Sequence, residues 1–270
     1  MNQAYGPAST FQIFAIKYAT VDRTSKQNFI GDDDHESPMP LDYFVWVVTN
    51  KTHTFLVDTG FGNEIAVNRG RIITRPVKDG LLRIGLDHDD ITDVIITHMH
   101  YDHCGNPELF ENATYHVQDT EMSYCTGRSM RHPVLRQPYD AEDVKSMVDR
   151  IYRGKVQFHQ KTKTLVPGIS LHRIGGHTDG IQVVRVMTCR GWVVLASDTA
   201  HFYANIERGL PYPIVNSVAA MLQGHLEIQD LVDTHAHIIP GHDPLVLKRY
   251  PAAAEDTHGW IARVDLPPVV

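Results

Sequence analysis

A cluster of ligand-type side chains directly follows an apolar segment in the first half of the chain. The stretch THMHYDHCGN, residues 97–106, places three histidines and an aspartate within six positions, directly after DVII. His98 and His100 alternate along extended backbone, so both imidazoles are expected on one side, and Asp102 and His103 follow as the chain turns. Such groups are costly to bury without partners. The fold must therefore bring partners, or a cation, to the end of this strand.

The same placement recurs at three later points. His177 lies in RIGGHTDG after the apolar segment ISLHRI, Asp198 ends VVLASD, and His242 follows HIIPG. With the first cluster, these are five imidazoles and two carboxylates at the ends of four apolar strands, which can converge on one edge of a sheet. This donor set suits zinc or another borderline divalent metal, and it needs no cysteine.

The order of the predicted elements indicates two sheets between helices, folded as one α/β (α+β) domain over residues 1–270. Helices are predicted at 79–90, in the last third of 119–165 and around 216–233. Two segments, a turn-rich loop at 21–41 and an irregular region at 119–165, are predicted to be lids that set specificity. The acidic run at 32–34 is expected to be a solvated loop rather than a cation site. Strands are predicted at 11–21, 42–50, within 53–63, and at 91–97, 113–118, 169–174, 181–188, 191–197 and 236–239.

Composition excludes several classes of partner. A net charge of -7 argues against nucleic acid, and no apolar run approaches the roughly 20 residues that cross a membrane. Three cysteines are too few for a disulfide framework, and Cys104 is expected to be a small buried residue. The start, MNQAYGPAST, has no signal-type pattern, so a cytoplasmic location is predicted.

These motifs resemble those of the metallo-β-lactamase superfamily. HMHYDH matches its HxHxDH signature, and the resemblance runs from FLVDTG to PGHD. It implies an αβ/βα four-layer sandwich with two mixed β-sheets and two divalent ions, zinc being expected and manganese, iron or cobalt being compatible. By the family pattern, one ion is held by His98, His100 and His177, the other by Asp102, His103 and His242, and Asp198 bridges them.

The resemblance implies hydrolysis of an ester by a hydroxide formed from water between the two ions. Within the superfamily the chain is most similar to the N-acyl homoserine lactonase branch, which implies a small lactone as substrate. Asp102 and Asp198 are then catalytic carboxylates. Asp58, in LVDTG, is expected to orient a ligand through hydrogen bonds, or to cap a turn. Tyr101 is a candidate for lining the substrate pocket, with ordinary aromatic packing as the alternative.

The chain departs from this branch at one position. The branch usually has a tyrosine three residues after the bridging aspartate, whereas here SDTAHFY places His201 there and Tyr203 two residues later. Either side chain could be the catalytic hydrogen-bond donor, and His201 is also a candidate for binding the substrate. The alternative is that His201 is a surface residue at the start of a helix. His235 and His237 alternate in the last strand and are not assigned to the site.

Other reaction classes share parts of this pattern. A glyoxalase-II-like thioesterase would use the same seven ligands but normally has a further helical domain, and a phosphodiesterase would favour a basic surface. A flavodiiron-type redox protein would have glutamate at the position of His100. A binding module without catalysis would be expected to have lost ligands. The predicted partners are therefore a small-molecule lactone or ester, with a homodimer as a further expectation.

Overall fold

The computed structural model describes residues 10–31 and 36–269, so the predictions for 32–34 and for most of the first ten residues lie outside the described residues. Its strands form two mixed sheets, one of eight strands and one of five. In chain order the strands are β1 (Gln12–Val21), β2 (Leu41–Thr49), β3 (Thr54–Val57), β4 (Ile72–Ile73), β5 (Asp93–Ile95), β6 (Thr114–Gln118), β7 (Val156–His159), β8 (Thr162–Val166), β9 (Ile169–Arg173), β10 (Gln182–Thr188), β11 (Gly191–Ser197), β12 (Ile238–Pro240) and β13 (Ile261–Arg263).

The first sheet has the order β13-β1-β2-β3-β5-β6-β7, with β4 paired to β1, and the second has the order β12-β11-β10-β9-β8. Strands β3, β5, β6 and β7 run parallel, as do β11 and β12, and the other pairs are antiparallel. The helices are α1 (Asn63–Arg69), α2 (Val77–Arg83), α3 (Tyr101–Cys104), α4 (Asp119–Cys125), α5 (Pro133–Arg136), α6 (Ala141–Tyr152), α7 (Tyr203–Arg208), α8 (Val218–Asp230) and α9 (Leu245–Arg249).

Alternation along the strands separates three apolar cores. In β2, Val45 belongs to the core shared with α1, α2 and α6, whereas its neighbour Trp46 belongs to the core between the sheets. In β11, Leu195 faces that same central core, and Val194 packs in a third core with Ile228 of α8. The layers are therefore helix, sheet, sheet and helix. The four-layer sandwich with two mixed sheets is confirmed.

Some boundaries differ from the predicted ones. The helix expected at 79–90 ends at Arg83, since Gly85 takes a left-handed φ of 82°, and a separate 3-10 turn covers His88–Asp90. His235 and His237 lie in a 3-10 turn and not in a strand. Among the described residues, no helix is both long enough and apolar enough to cross a bilayer.

The region 119–165 is more regular than predicted, because it contains α4, α5 and α6 as well as β7 and β8, an edge strand of each sheet. Met122 and Met147 from this region are buried in the first core. The sequence did not indicate β7 because an edge strand with two exposed positions has no regular apolar alternation. Gln137 and Pro138 are the part of the region that reaches the pocket described below.

Candidate metal centre

The first three predicted ligands meet at the end of the sandwich. His98 and His100 follow β5, and His177 lies in the loop between β9 and β10. His100 Nδ1 lies 2.9 Å from His177 Nε2. Oδ2 of Asp198, which directly follows β11, lies 3.2 Å from His177 Nε2 and 3.7 Å from His98 Nε2. These four side chains are buried and form one candidate set for a cation.

A second set lies on the other side of Asp198. Its Oδ1 is 2.9 Å from His242 Nε2 and 3.3 Å from His103 Nε2. Asp102, on α3, places Oδ2 3.7 Å from His103 Nε2 and 3.8 Å from His242 Nε2. Asp198 therefore presents one oxygen to each set, as a bridging ligand would.

The chemistry of these atoms fits divalent cations. His98 Nε2, His103 Nε2 and Asp198 Oδ1 are buried and make no hydrogen bond within the part of the chain that the structure describes. Buried polar atoms without partners are costly, and all three face their set of ligand atoms. Two cations, one in each set, would satisfy them.

The outward nitrogens of two ligands are fixed by the backbone. His177 Nδ1 donates to the carbonyl of Ile214 at 2.7 Å, and His242 Nδ1 donates to the carbonyl of Asp42 at 2.8 Å. A carbonyl can only accept, so each ring carries its proton on Nδ1. The lone pair on Nε2 is therefore directed into the site, which is the usual arrangement for a metal-binding histidine.

Asp58 holds His103 in the same way. Its Oδ2 lies 2.7 Å from His103 Nδ1, and its two oxygens accept the N–H of Thr97 at 2.7 Å and the Thr97 hydroxyl at 2.8 Å. Burial raises the pKa of Asp58, and the interaction with His103 opposes that rise. Its φ of 61° is left-handed, a conformation that aspartate tolerates better than most residues. Asp58 therefore follows the end of β3 and orients His103, a candidate metal ligand.

Electrostatics divides the histidines into two groups. Burial and neighbouring imidazoles hold the pKa of His98 and His100 well below the ordinary value, so both rings are neutral and able to bind a cation. Burial also disfavours the charged form of His103 and His242, but their combined interactions with nearby carboxylates, chiefly Asp198 and Asp102, outweigh it and raise both pKa values. The second set thus requires a positive charge, either protons or a metal ion.

Two glycines allow the ligand loops to approach each other. Gly176 and Gly241 each directly precede a histidine ligand. A Cβ on Gly176 would lie 2.6 Å from Met221 Cα, and one on Gly241 would lie 2.8 Å from the carbonyl carbon of Ser197. Neither position has room for a side chain, which explains the GGH and PGH sequences.

His201 lies inside the site and not on the surface. Its Nε2 is 3.0 Å from Asp198 Oδ2, and its ring stacks on Tyr212 with 3.6 Å between ring centres. Burial lowers its pKa to about 3, so the ring is neutral. With Asp198 and His242 it also forms a third group of atoms that could bind a cation.

Tyr203 does not reach the site. Its side chain packs in the core between the sheets, and the guanidinium carbon of Arg249 lies 3.9 Å from its ring centre. Its backbone N–H donates to Asp243, which fixes the start of α7. Because α7 begins at Tyr203, the backbone turns between the two candidates, at Phe202, and directs Tyr203 away from the pocket.

A small cavity of about 40 Å³ lies over the ligands. Tyr101 lines it, as predicted, and its hydroxyl is 3.1 Å from that of Tyr43. The two segments predicted to cover the site, 21–41 and 119–165, contribute Arg23, Leu41, Gln137 and Pro138 to the wall. The sequence had not singled out any of the other wall residues, since they come from short stretches without a recognisable motif. Besides the ligands, His201 and Tyr101, the wall contains Arg23, Leu41, Tyr43, Arg69, Arg71, Gln137, Pro138, Tyr212 and Ile214.

Glu121 was also missed, although it connects two ligand loops. Its Oε1 accepts the N–H of Met99 at 2.8 Å, between the first two histidines. Its Oε2 accepts the hydroxyl of Thr178 at 2.6 Å and the N–H of Gly180 at 3.1 Å, in the His177 loop. A signal was present, because Glu121 follows β6, the neighbour of β5, at the same edge of the sheet.

Comparison with known proteins agrees with the four-layer fold. A model of the metallo-beta-lactamase superfamily matches residues 39–250. The N-acyl homoserine lactonase AiiA of Bacillus thuringiensis subsp. kurstaki is 26% identical over 189 residues, which are 64% of this chain and 69% of that protein. A solved N-acyl homoserine lactone hydrolase with N-hexanoyl-L-homoserine bound at its catalytic metal centre has a TM-score of 0.69 at 21% identity, over 86% of this chain and 93% of that one. AidC, a dizinc quorum-quenching lactonase, has a TM-score of 0.68 at 15% identity, over 86% and 87% of the two chains. This chain belongs to the metallo-beta-lactamase superfamily.

Proposed function

We propose that the protein is a dinuclear-metal hydrolase that opens the ester bond of a small lactone, an N-acyl homoserine lactone or a related ring. The observation that carries the proposal is Asp198, whose two oxygens face two separate sets of buried ligands. A single structural ion would need only one such set. The relatives that act on N-acyl homoserine lactones support the choice of substrate.

The metals are proposed to be two zinc ions. Imidazole and carboxylate donors suit zinc, and the dizinc relative supports the assignment. His98, His100 and His177 would hold one ion, Asp102, His103 and His242 the other, and Asp198 both. When bound, such a pair lowers the pKa of water and polarises an ester carbonyl.

His201 is proposed to be the hydrogen-bond donor of the reaction. Its ring is neutral, so it would donate a hydrogen bond to the carbonyl or leaving oxygen more readily than it would supply a proton as an imidazolium. The stacked Tyr212 ring holds the imidazole in place. In the structure its Nε2 is directed at Asp198 Oδ2, so donation to a substrate would require a small reorientation. Tyr101 is proposed to line the ring pocket.

A hydrolysis screen with defined zinc loading tests the proposal. The panel contains N-hexanoyl homoserine lactone, γ-valerolactone, a glutathione thioester and an aryl phosphodiester. We expect kcat/KM for at least one lactone to exceed that for the thioester and the phosphodiester by at least about tenfold, a difference of 1.4 kcal/mol. A thioester turned over faster than every lactone would replace the proposal with a glyoxalase-II-like activity. The cytoplasmic location and the homodimer stay predictions.

A further inference from the structure

Three arginines line the same cavity as the metal ligands, although the chain as a whole is acidic. They are Arg23, which follows β1, Arg69 at the end of α1, and Arg71 just before β4. All three are partly buried. A guanidinium group that lines a cavity and has no carboxylate partner is able to bind an anionic ligand there.

The protein partners of these arginines are neutral. Arg69 donates to the carbonyls of Gln137 and Tyr139, each at 2.9 Å. Arg71 donates from Nε to the Tyr101 hydroxyl at 3.0 Å and from NH1 to the carbonyl of Arg69 at 2.7 Å. Neutral acceptors orient a guanidinium group but leave its charge unbalanced.

Arg23 also has only neutral partners. Its Nε donates to the side-chain oxygen of Asn28 at 2.6 Å, and its NH2 donates to the carbonyl of Gln27. Among residues 10–31 and 36–269, no aspartate or glutamate oxygen lies within 4.0 Å of any of the three guanidinium groups. In total the three groups carry three positive charges. We call the part of the cavity wall that Arg23, Arg69 and Arg71 form the mouth of the cavity.

Aromatic rings hold the guanidinium groups in place. The Arg69 guanidinium carbon lies 4.0 Å from the centre of the Tyr101 ring, and Arg71 contacts the hydroxyl of that same tyrosine. On the opposite wall, Arg23 lies 5.2 Å from the centre of the Tyr212 ring, whose other neighbour is His201. Groups fixed in this way lose little conformational entropy when an anion binds.

Nearby carboxylates do not neutralise this charge. The charge of Asp102 interacts with Arg71, but Asp102 and Asp198 also lie among the candidate metal ligands, and Asp42 pairs with Lys17 at 2.8 Å. The charge of Asp143 interacts with Arg69, but burial raises the pKa of Asp143 to about 7, so it is only partly ionised near neutral pH. Among residues 10–31 and 36–269, the groups at the entrance of the cavity therefore have an excess of positive charge.

We propose that Arg23, Arg69 and Arg71 form an anion-binding subsite and that the preferred substrate is a compact lactone bearing a carboxylate. This inference rests on the proposed function and narrows it. Planar guanidinium groups match a carboxylate through paired hydrogen bonds. The cavity of about 40 Å³ has room for a group the size of a carboxylate.

A matched pair of lactones tests the subsite. The first is γ-valerolactone, and the second is the same ring with a carboxylate in place of the methyl group. We expect the zinc-loaded protein to prefer the carboxylate lactone. In Arg71→Gln the ratio of the two kcat/KM values should fall about 10–100-fold, mainly through KM, because one charge-assisted contact is lost. For Arg71→Lys this ratio should lie between those of the wild type and Arg71→Gln. The control is Arg173→Gln, because Arg173 is ion-paired and lies outside the cavity.

Equilibrium binding separates this inference from the proposed function. Calorimetry of the zinc-loaded protein with tetrahydrofuran carboxylate, the ring without a scissile ester, should show binding that Arg71→Gln and Arg23→Gln each weaken. If no lactone is hydrolysed but this binding is observed, the lactonase proposal fails and the subsite stands. Equal kcat/KM values of the wild type for both lactones would overturn the carboxylate assignment. It would also be overturned if a third lactone, with a phosphomethyl group in place of the carboxylate, were hydrolysed faster than the carboxylate lactone.

Discussion

The floor and the mouth of the cavity bind charge in opposite ways. The floor comprises the seven ligands and Asp58, and its outward-facing groups are satisfied by buried backbone carbonyls and by a buried carboxylate. The mouth comprises Arg23, Arg69 and Arg71, which are partly buried and oriented by neutral groups. The floor therefore presents lone pairs to a cation, and the mouth presents N–H groups to an anion.

This difference separates two properties of the site. The candidate ligands of the floor lie directly after β11 and on the short loops and the helix α3 that follow β5, β9 and β12, so the two sheets position them. The mouth is built from loop residues and helix ends, which can vary without disturbing the sheets. We infer that the floor determines the type of bond that is broken and the mouth determines which substrate is accepted. The following predictions test that separation, from the largest expected effect to the smallest.

Removing the bridge should affect the floor most. Asp198→Ala removes an oxygen from each ligand set, leaving two cations to repel each other at short range. Elemental analysis should show metal content falling from about two ions per chain to one or fewer. Turnover should fall by more than the roughly 10²–10³-fold that loss of one hydrogen-bond donor costs. Asp230→Ala, exposed at the end of α8, is the control. Full activity with one bound ion would contradict the dinuclear mechanism.

His201 lies between floor and mouth, and its loss should affect turnover with little change in metal content. His201→Ala should lower kcat about 10²-fold, because a donor to the developing oxyanion is removed. Metal analysis on the same preparation distinguishes the role of hydrogen-bond donor from that of metal ligand. If the metal content falls in parallel with kcat, then His201 is a ligand, as its place beside Asp198 and His242 permits.

Asp58 supports the floor from outside. Asp58→Asn keeps the size of the side chain and its tolerance of the left-handed backbone, but it weakens the hydrogen bond with His103. Competition with a chelator should show a metal affinity lower by about 10–100-fold, as for other groups that orient a metal ligand. An unchanged affinity would leave Asp58 with only its role in ending β3.

Asp143 should give a pH-dependent effect on stability near the mouth. Its folded pKa of about 7 lies above the ordinary value of 3.8, so the fold favours the neutral form. The stability from this group is complete below about pH 4 and is lost as the pH rises through 7. Asp143→Asn should therefore be more stable than the wild type at pH 8, by about 1–2 kcal/mol, with a smaller difference at pH 5. Denaturant unfolding at the two pH values measures this.

Tyr203 should matter least for catalysis. Tyr203→Phe removes only a hydroxyl in the core between the sheets, so kcat/KM should change by less than about twofold, within the range of a change remote from the reaction. Steady-state kinetics of Tyr203→Phe, His201→Ala and the wild type under the same conditions measures this change in kcat/KM. A loss as large as that of His201→Ala would show that Tyr203 reaches the substrate during turnover.

The sequence by itself determined the sheets and the floor of the site. Apolar alternation indicated most strands, and the predicted ligands lie within a few residues of the ends of four of them, so a correct strand prediction also places these residues near one edge of a sheet. The helix at 79–90 and the irregular region at 119–165 were less accurate, because Gly85 ends the helix and exposed edge strands have no clear pattern.

The tertiary structure alone decided the mouth. Arg23 lies in the segment 21–41 that was predicted to cover the site, but nothing local distinguishes it, Arg69 or Arg71 from surface arginines. The choice between His201 and Tyr203 was also tertiary, because the backbone turn into α7 directs one side chain into the cavity and the other into the core. Periodic burial can be read along a chain, since neighbouring residues share one element. Convergence of separate loops cannot, because it depends on how the sheets pack.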